Sequence, residues 1–177
     1  MKLTQEDFYC GAFLSYLLYN GIRPALFEDR IDPTRRVYDF TTDKGDFRVY
    51  VKSTKGPVSE NSTKQSLLWS FPFTEGQIDE IKSLGKSSRQ LYFVFICGQP
   101  KLNESRIAVV PADKIFQCID LNRENRYKPQ SVKIRLIKGE WSFRIYGTAR
   151  NEITDGRDSS LKERVSNIDD LFAGASV

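Results

Sequence analysis

Residues 36–55 read RVYDFTTDKGDFRVYVKSTK. Two runs of alternating apolar and polar residues, 36–42 and 46–54, flank Lys44-Gly45, and this spacing predicts a β-hairpin closed by a two-residue turn. With Asp43 facing Asp46, Asp39 falls opposite Tyr50 and Val37 opposite Lys52. Side chains on a strand alternate faces, so Asp39, Tyr50 and Lys52 are expected on one side and Phe40, Val49 and Val51 on the other. An ordinary half-exposed strand pair with a charged outer face produces the same pattern, and both readings stay open at this level.

Outward from the hairpin, Thr4-Gln5-Glu6-Asp7 has capping-box spacing, and apolar residues from Leu3 to Leu18 predict a first helix ended by Asn20-Gly21. A short strand is expected over 22–27, then a charged loop over 28–34. Past Lys52 the insert STKGPVSENSTKQS is almost free of apolar residues and reads as a flap beside a site or as a solvated linker. SLLWSFPF (66–73) is aromatic and apolar, and Thr74 opens a helix that runs to Leu84. QLYFVFIC (90–97) is a continuous apolar run of strand length, as expected for a strand covered on both faces. A strand over 106–110, a short helix over 114–120 and a second hairpin over 131–146 follow. Leu161, Val165, Ile168, Leu171 and Phe172 recur at helical spacing, which predicts a C-terminal amphipathic helix. The division expected from this order is a domain over 1–147 and a polar extension over 148–177.

Composition narrows the chemistry. The 177 residues include no histidine, which excludes histidine triads and histidine-bound metal enzymes, and three scattered cysteines, which fit buried thiols better than a disulfide framework. No apolar run approaches the roughly 20 residues that span a bilayer, so no membrane association and a cytoplasmic setting are the expectation. Net charge is +4. Residues 148–177 carry four basic and six acidic side chains, so the basic excess belongs to the first 147. Between residues 122 and 138 six basic side chains accompany one acid, with Lys133 and Arg135 alternating with Val132, Ile134 and Leu136. Such a stripe, with Arg126 and Lys128, can track a phosphate backbone, and Lys55 and Lys64 in the polar insert can do the same; solvated loop and hairpin faces account for these charges equally well.

Tyr38-Asp39-Phe40 followed by Val49-Tyr50-Val51-Lys52-Ser53-Thr54 resembles the core of the PD-(D/E)XK nuclease superfamily, in which one strand carries an acid and the next carries acid-x-Lys. The order of elements over residues 8–121 is similar as well. The resemblance implies an α/β fold with a mixed central sheet flanked by helices, the restriction-endonuclease-like core. It also implies metal-assisted hydrolysis of a DNA phosphodiester, in restriction, repair or recombination, and a possible homodimer. Asp39 would hold Mg²⁺ (or Mn²⁺) and Lys52 would stand by the attacking water. Tyr50 departs from the pattern, because the family's second acid belongs there. Asp46, about 13 Å along the strand, cannot replace it, which leaves Glu6, Glu28 or Glu60 as candidates. The alternative is a catalytically inactive nuclease-fold protein that binds nucleic acid or a protein partner; an interaction subunit unrelated to nucleic acid is the third expectation.

Overall fold

The computed structural model describes residues 2–26, 32, 34–63, 65–124 and 129–165. Helix α1 (Gln5–Tyr19) is followed by β1 (Ala25–Leu26), β2 (Arg36–Thr42), β3 (Gly45–Thr54), β4 (Ser59–Asn61) and β5 (Ser66–Phe73). Helix α2 (Glu75–Leu84), β6 (Gln90–Cys97), β7 (Arg106–Pro111) and α3 (Ala112–Cys118) come next. The chain then forms β8 (Gln130–Ile137), β9 (Ser142–Gly147), β10 (Ile153–Thr154), β11 (Arg157–Asp158) and β12 (Leu161–Arg164). The class is α/β, as expected.

Two five-stranded sheets carry the fold, in the orders β1-β2-β3-β6-β7 and β12-β9-β8-β5-β4. The first is mixed, because β3 and β6 run parallel while its other pairs are antiparallel. A parallel pair needs a long crossover, and here the crossover contains β4, β5 and α2. Between the sheets lies an aromatic core that includes Tyr50, Trp69, Phe71, Phe73, Phe93 and Phe95. On the far side of the mixed sheet, α1 buries Tyr9, Cys10, Phe13 and Leu17 against Phe47, Val49 and Val51. Strand β3 is therefore covered on both faces: every residue from Phe47 to Lys52 is buried, which overturns the half-exposed hairpin.

The hairpin register differs from the sequence expectation by two residues. Thr42 pairs with Gly45, so the turn is Asp43-Lys44, and Asp39 stands opposite Arg48 with Val37 opposite Tyr50. This register juxtaposes the Asp39 carboxylate with a guanidinium and stacks Phe40 on Phe47, with ring centroids 5.5 Å apart. Cross-strand pairs of these kinds each stabilise a ribbon by up to about 1 kcal/mol. A slip of two preserves the faces, so Asp39, Tyr50 and Lys52 do share one side of the sheet.

Both expected capping boxes form, Thr4 with Asp7 and Thr74 with Gln77. The expected strand over 22–27 contracts to Ala25–Leu26, and the polar insert contributes the edge strand β4. The helical spacing that begins at Leu161 gives way to strand: β12 pairs with β9, and Lys114 Nζ meets the Glu163 carboxylate at 2.6 Å. Residues 161–164 thus belong to the second sheet, and Ile168, Leu171 and Phe172 lie outside the described residues.

Candidate functional site

Strand β3 aims Arg48, Tyr50 and Lys52 into the space between the sheets, and the three have different neighbours. Arg48 donates to both Asp39 oxygens, at 2.7 and 2.8 Å, and Arg89 approaches the same carboxylate at 3.3 Å. Two guanidinium groups occupy this acid. Lys52 is four residues further along β3 than Arg48, about 13 Å at strand rise. Asp39 and Lys52 share a face without being neighbours, which corrects the expected side-by-side pair.

Tyr50 is fully buried between Phe73 and Phe93, with centroids 6.2 and 5.3 Å away. Burial raises its pKa strongly, and the nearby Glu80 carboxylate adds to the rise. Its hydroxyl makes no hydrogen bond among the described residues. Arg35, just before β2, forms a two-bond pair with Glu80 of α2 at 2.9 and 2.7 Å, tying the helix to the sheet beside Tyr50.

Lys52 is only 4% exposed, yet it lines an open cleft of about 500 Å³. Its Nζ donates to Gln77 Oε1 at 2.9 Å and lies 4.7 Å from the centre of the Phe73 ring. Gln77 is the hub of a small polar network, because its Nε2 donates to Asp32 Oδ2 at 2.9 Å and to Thr34 Oγ1 at 2.7 Å. Burial lowers the Lys52 pKa to about 8, opposed chiefly by the Asp32 and Glu6 carboxylates. At Asp32 burial acts to raise the pKa, but hydrogen bonds from Gln77 and Thr34 outweigh it and hold the carboxyl below its usual range. Apolar walls come from Phe73, Ile78 and Leu121, while Lys82 and Arg123 stand in the lining. Gln130 exchanges two hydrogen bonds with the backbone of Asp120, at 2.6 and 2.7 Å, and so pins the segment that closes the cleft.

Neither Asp32 nor Gln77 was picked out by the sequence as a site residue. Gln77 carried a signal only as the third residue of a capping box. Its second role, joining Lys52 to Asp32, depends on how α2 packs against the sheet, and no local pattern encodes that.

The remaining candidates are dispersed. Glu6 of α1 bonds the Ser53 hydroxyl, on the face of β3 opposite to Lys52, and accepts from the Cys10 thiol at 3.3 Å. Glu60 sits on exposed β4 and lines a separate hollow with Glu104, Arg106 and Lys138. Lys55 is exposed just beyond β3. Arg135 is engaged by Glu152 at 2.7 Å and Lys133 lies over the Tyr146 ring at 5.9 Å, so the basic stripe of β8 is half neutralised. Glu28, Lys64, Arg126 and Lys128 fall outside the described residues.

Divalent metal chemistry has a poor donor set here. Mg²⁺ takes several hard oxygen ligands in near-octahedral geometry. At Asp39 it would have to displace two cations. Near Lys52 the Asp32 oxygens already accept from Thr34 and Gln77, and Glu75, Asp79 and Asp120 of the cleft lining form no cluster with it arranged to hold a metal ion. Among the described residues no cluster of three His, Cys, Asp or Glu side chains is arranged to hold a metal ion. These residues do not fit Mg²⁺ or Mn²⁺.

Comparison with known proteins gives no match: no family model, no curated protein and no solved structure is similar to the chain. Among the described residues no helix is long and apolar enough to cross a membrane.

Proposed function

We propose that the chain is a nuclease-fold protein, with a PD-(D/E)XK-like core, that binds nucleic acid, DNA in the first place, through the Lys52 cleft without hydrolysing it at Asp39. The observation that carries this reading is the separation of the two motif residues. Asp39 is sealed by Arg48 and Arg89, while Lys52 stands at an open cleft with an ammonium that donates to a single acceptor among the described residues. The restriction-endonuclease-like core is supported by a helix preceding the β2–β3 hairpin, by the mixed sheet and by the parallel β3–β6 crossover.

Chemically, the cleft can receive a phosphate oxygen. An ammonium has three N–H donors, and Lys52 directs one of them to Gln77 Oε1. In a partly desolvated setting the resulting charge-assisted hydrogen bonds are about twice as strong as neutral ones. Lys82 and Arg123 supply two further cations in a lining that also holds Glu75, Asp79 and Asp120, and phosphate contacts from such cations position a backbone without reading its sequence. The Gln77 and Asp32 network fixes where Nζ sits, so Lys52 is presented rather than mobile.

Fluorescence anisotropy with labelled duplex and single-stranded oligonucleotides tests the proposal, with cleavage followed in parallel in Mg²⁺ or Mn²⁺. Salt-sensitive binding that drops at least about tenfold in Lys52→Ala and is unchanged in a folded Asp39→Ala is the expected result. Metal-dependent cleavage abolished by both substitutions would replace the proposal with phosphodiester hydrolysis. Binding unaffected by Lys52→Ala would remove the cleft from the argument.

A further inference from the structure

The Lys52 cleft is lined from two directions by residues of three kinds. Helix α2 gives it Glu75, Ile78, Asp79 and Lys82, which share one face of the helix at spacings of three and four. The segment after α3 gives it Asp120, Leu121 and Arg123. Each contribution thus holds acid, aliphatic and cation, and Lys82 Nζ ties the two together by donating to Asn122 Oδ1 at 2.7 Å. Phe73 is only 4% exposed and Ile78 8%, so they form an apolar floor beside the Lys52 ammonium, while Pro72 and Pro129 stand exposed at the rim.

Charges in this lining are balanced. Lys52, Lys82 and Arg123 are matched by Glu75, Asp79 and Asp120, three of each sign. A polyanion laid along the cleft would meet repulsion as often as attraction, whereas tracking a backbone calls for successive cations. The lining suits instead a molecule that carries one anion, an apolar ring and N–H donors together. Phosphate oxygens accept from Lys52, which donates to a single acceptor among the described residues. A flat ring is covered by the apolar floor, and the carboxylates accept from its amino group, as acids do from the amino group of cytosine. Size agrees as well, because about 500 Å³ lies inside the roughly 300–1,000 Å³ of pockets that enclose small organic ligands. A stacked duplex keeps its rings inside and offers none to such a space.

We infer that the Lys52 cleft is a pocket for one nucleotide unit, base and phosphate together, taken either free or from the unpaired end of a strand. The inference rests on the nucleic-acid reading of this cleft and narrows it, because the cleft then grips a single nucleotide and does not track a duplex. Gln77, bonded at once to Lys52, Asp32 and Thr34, sets the ammonium at the phosphate position.

Competition against a labelled oligonucleotide with an unpaired end, followed by anisotropy, tests the assignment, with calorimetry reporting deoxyadenosine monophosphate binding directly. The monophosphate should displace the strand at submillimolar concentration, and deoxyadenosine or inorganic phosphate alone should be at least ~10-fold weaker. A blunt duplex should compete at least ~10-fold less well than one of equal length with an unpaired end. Lys52→Met, and Lys82→Glu at an exposed position, should each weaken the monophosphate at least ~10-fold while the chain stays folded by circular dichroism. If oligonucleotides bind and the monophosphate does not, the single-nucleotide pocket is overturned and the nucleic-acid reading stands. If the monophosphate binds and no oligonucleotide does, the pocket holds for free nucleotides and the nucleic-acid reading falls. A monophosphate bound no more tightly than inorganic phosphate, or equally well by both folded variants, would also overturn the pocket.

Discussion

Replacing Lys52 by Met tests whether the cleft lysine is held there against stability. Its pKa lies near 8 instead of 10.5, with burial as the main cause. A lysine whose folded pKa is lowered binds its proton more weakly in the native state than in the unfolded chain. The penalty is therefore complete below about pH 8 and fades as pH climbs through the unfolded value. A shift of this size corresponds to about 3 kcal/mol of destabilisation near neutral pH and to about 1 kcal/mol near pH 9.5. Methionine retains the stem's packing against Phe73 and loses the bond to Gln77 Oε1, which still accepts from the Thr74 amide at 3.3 Å. Forfeiting that hydrogen bond costs about 2 kcal/mol while Lys52 is protonated and about 1 kcal/mol once it is neutral. Lys52→Met should thus raise unfolding free energy by ~1 kcal/mol near pH 7 and by almost nothing near pH 9.5. Urea titrations at the two pH values measure both numbers, and oligonucleotide anisotropy should show binding lost in the stabilised variant. A variant that is destabilised near pH 7, or stabilised equally at both pH values, refutes the reasoning.

Other expectations concern binding and packing. Oligonucleotide affinity should decline as pH rises through about 8, where Lys52 loses its proton, and Lys52→Arg should abolish that titration; anisotropy across the range is the check. Asp39→Asn leaves Arg48 buried opposite a neutral amide and should destabilise by ~3 kcal/mol in urea, with oligonucleotide binding preserved in the folded protein. Tyr50→Glu places a carboxylate between Phe73 and Phe93 and should lower stability by more than ~3 kcal/mol, read as a collapse of Tm. Gly147→Ala would bring a Cβ within 2.4 Å of the Cys118 carbonyl oxygen and 2.5 Å of that of Ser131, and Gly98→Ala within 2.2 Å of the Thr54 carbonyl oxygen; each should lose ~2 kcal/mol or more by thermal melting.

Periodicity and capping made α1, α2, β8 and β9 legible in the sequence, and an unbroken apolar run of strand length did the same for β6, whereas residues 66–73 showed only an aromatic and apolar character that did not specify β5. Faces were legible too, since Asp39, Tyr50 and Lys52 share one. Register was not. Alternation is unchanged by a slip of two residues, and only the pairing of Asp39 with Arg48 and of Phe40 with Phe47 distinguishes the observed ribbon from the expected one. The stretch from Leu161 illustrates the other limit. Leu161 and Val165 fit a helical spacing, yet β9 presents an unpaired edge that captures residues 161–164 as strand, a tertiary effect that local pattern does not contain. Likewise the cluster at Lys52 joins residues 32, 34, 52 and 77, brought together by the packing of α2.

The crossover between β3 and β6 also constrains how the protein is made. Strand β5 leaves the ribosome with only the short β4 for company, and its true neighbour β8 emerges about 60 residues later. At cellular synthesis rates of about 5–20 residues per second, the backbone edge of β5 waits several seconds for β8. During that interval the nascent chain displays a greasy ribbon with one open margin, a natural client for holding factors. Premature termination before residue 130 would make that exposure permanent.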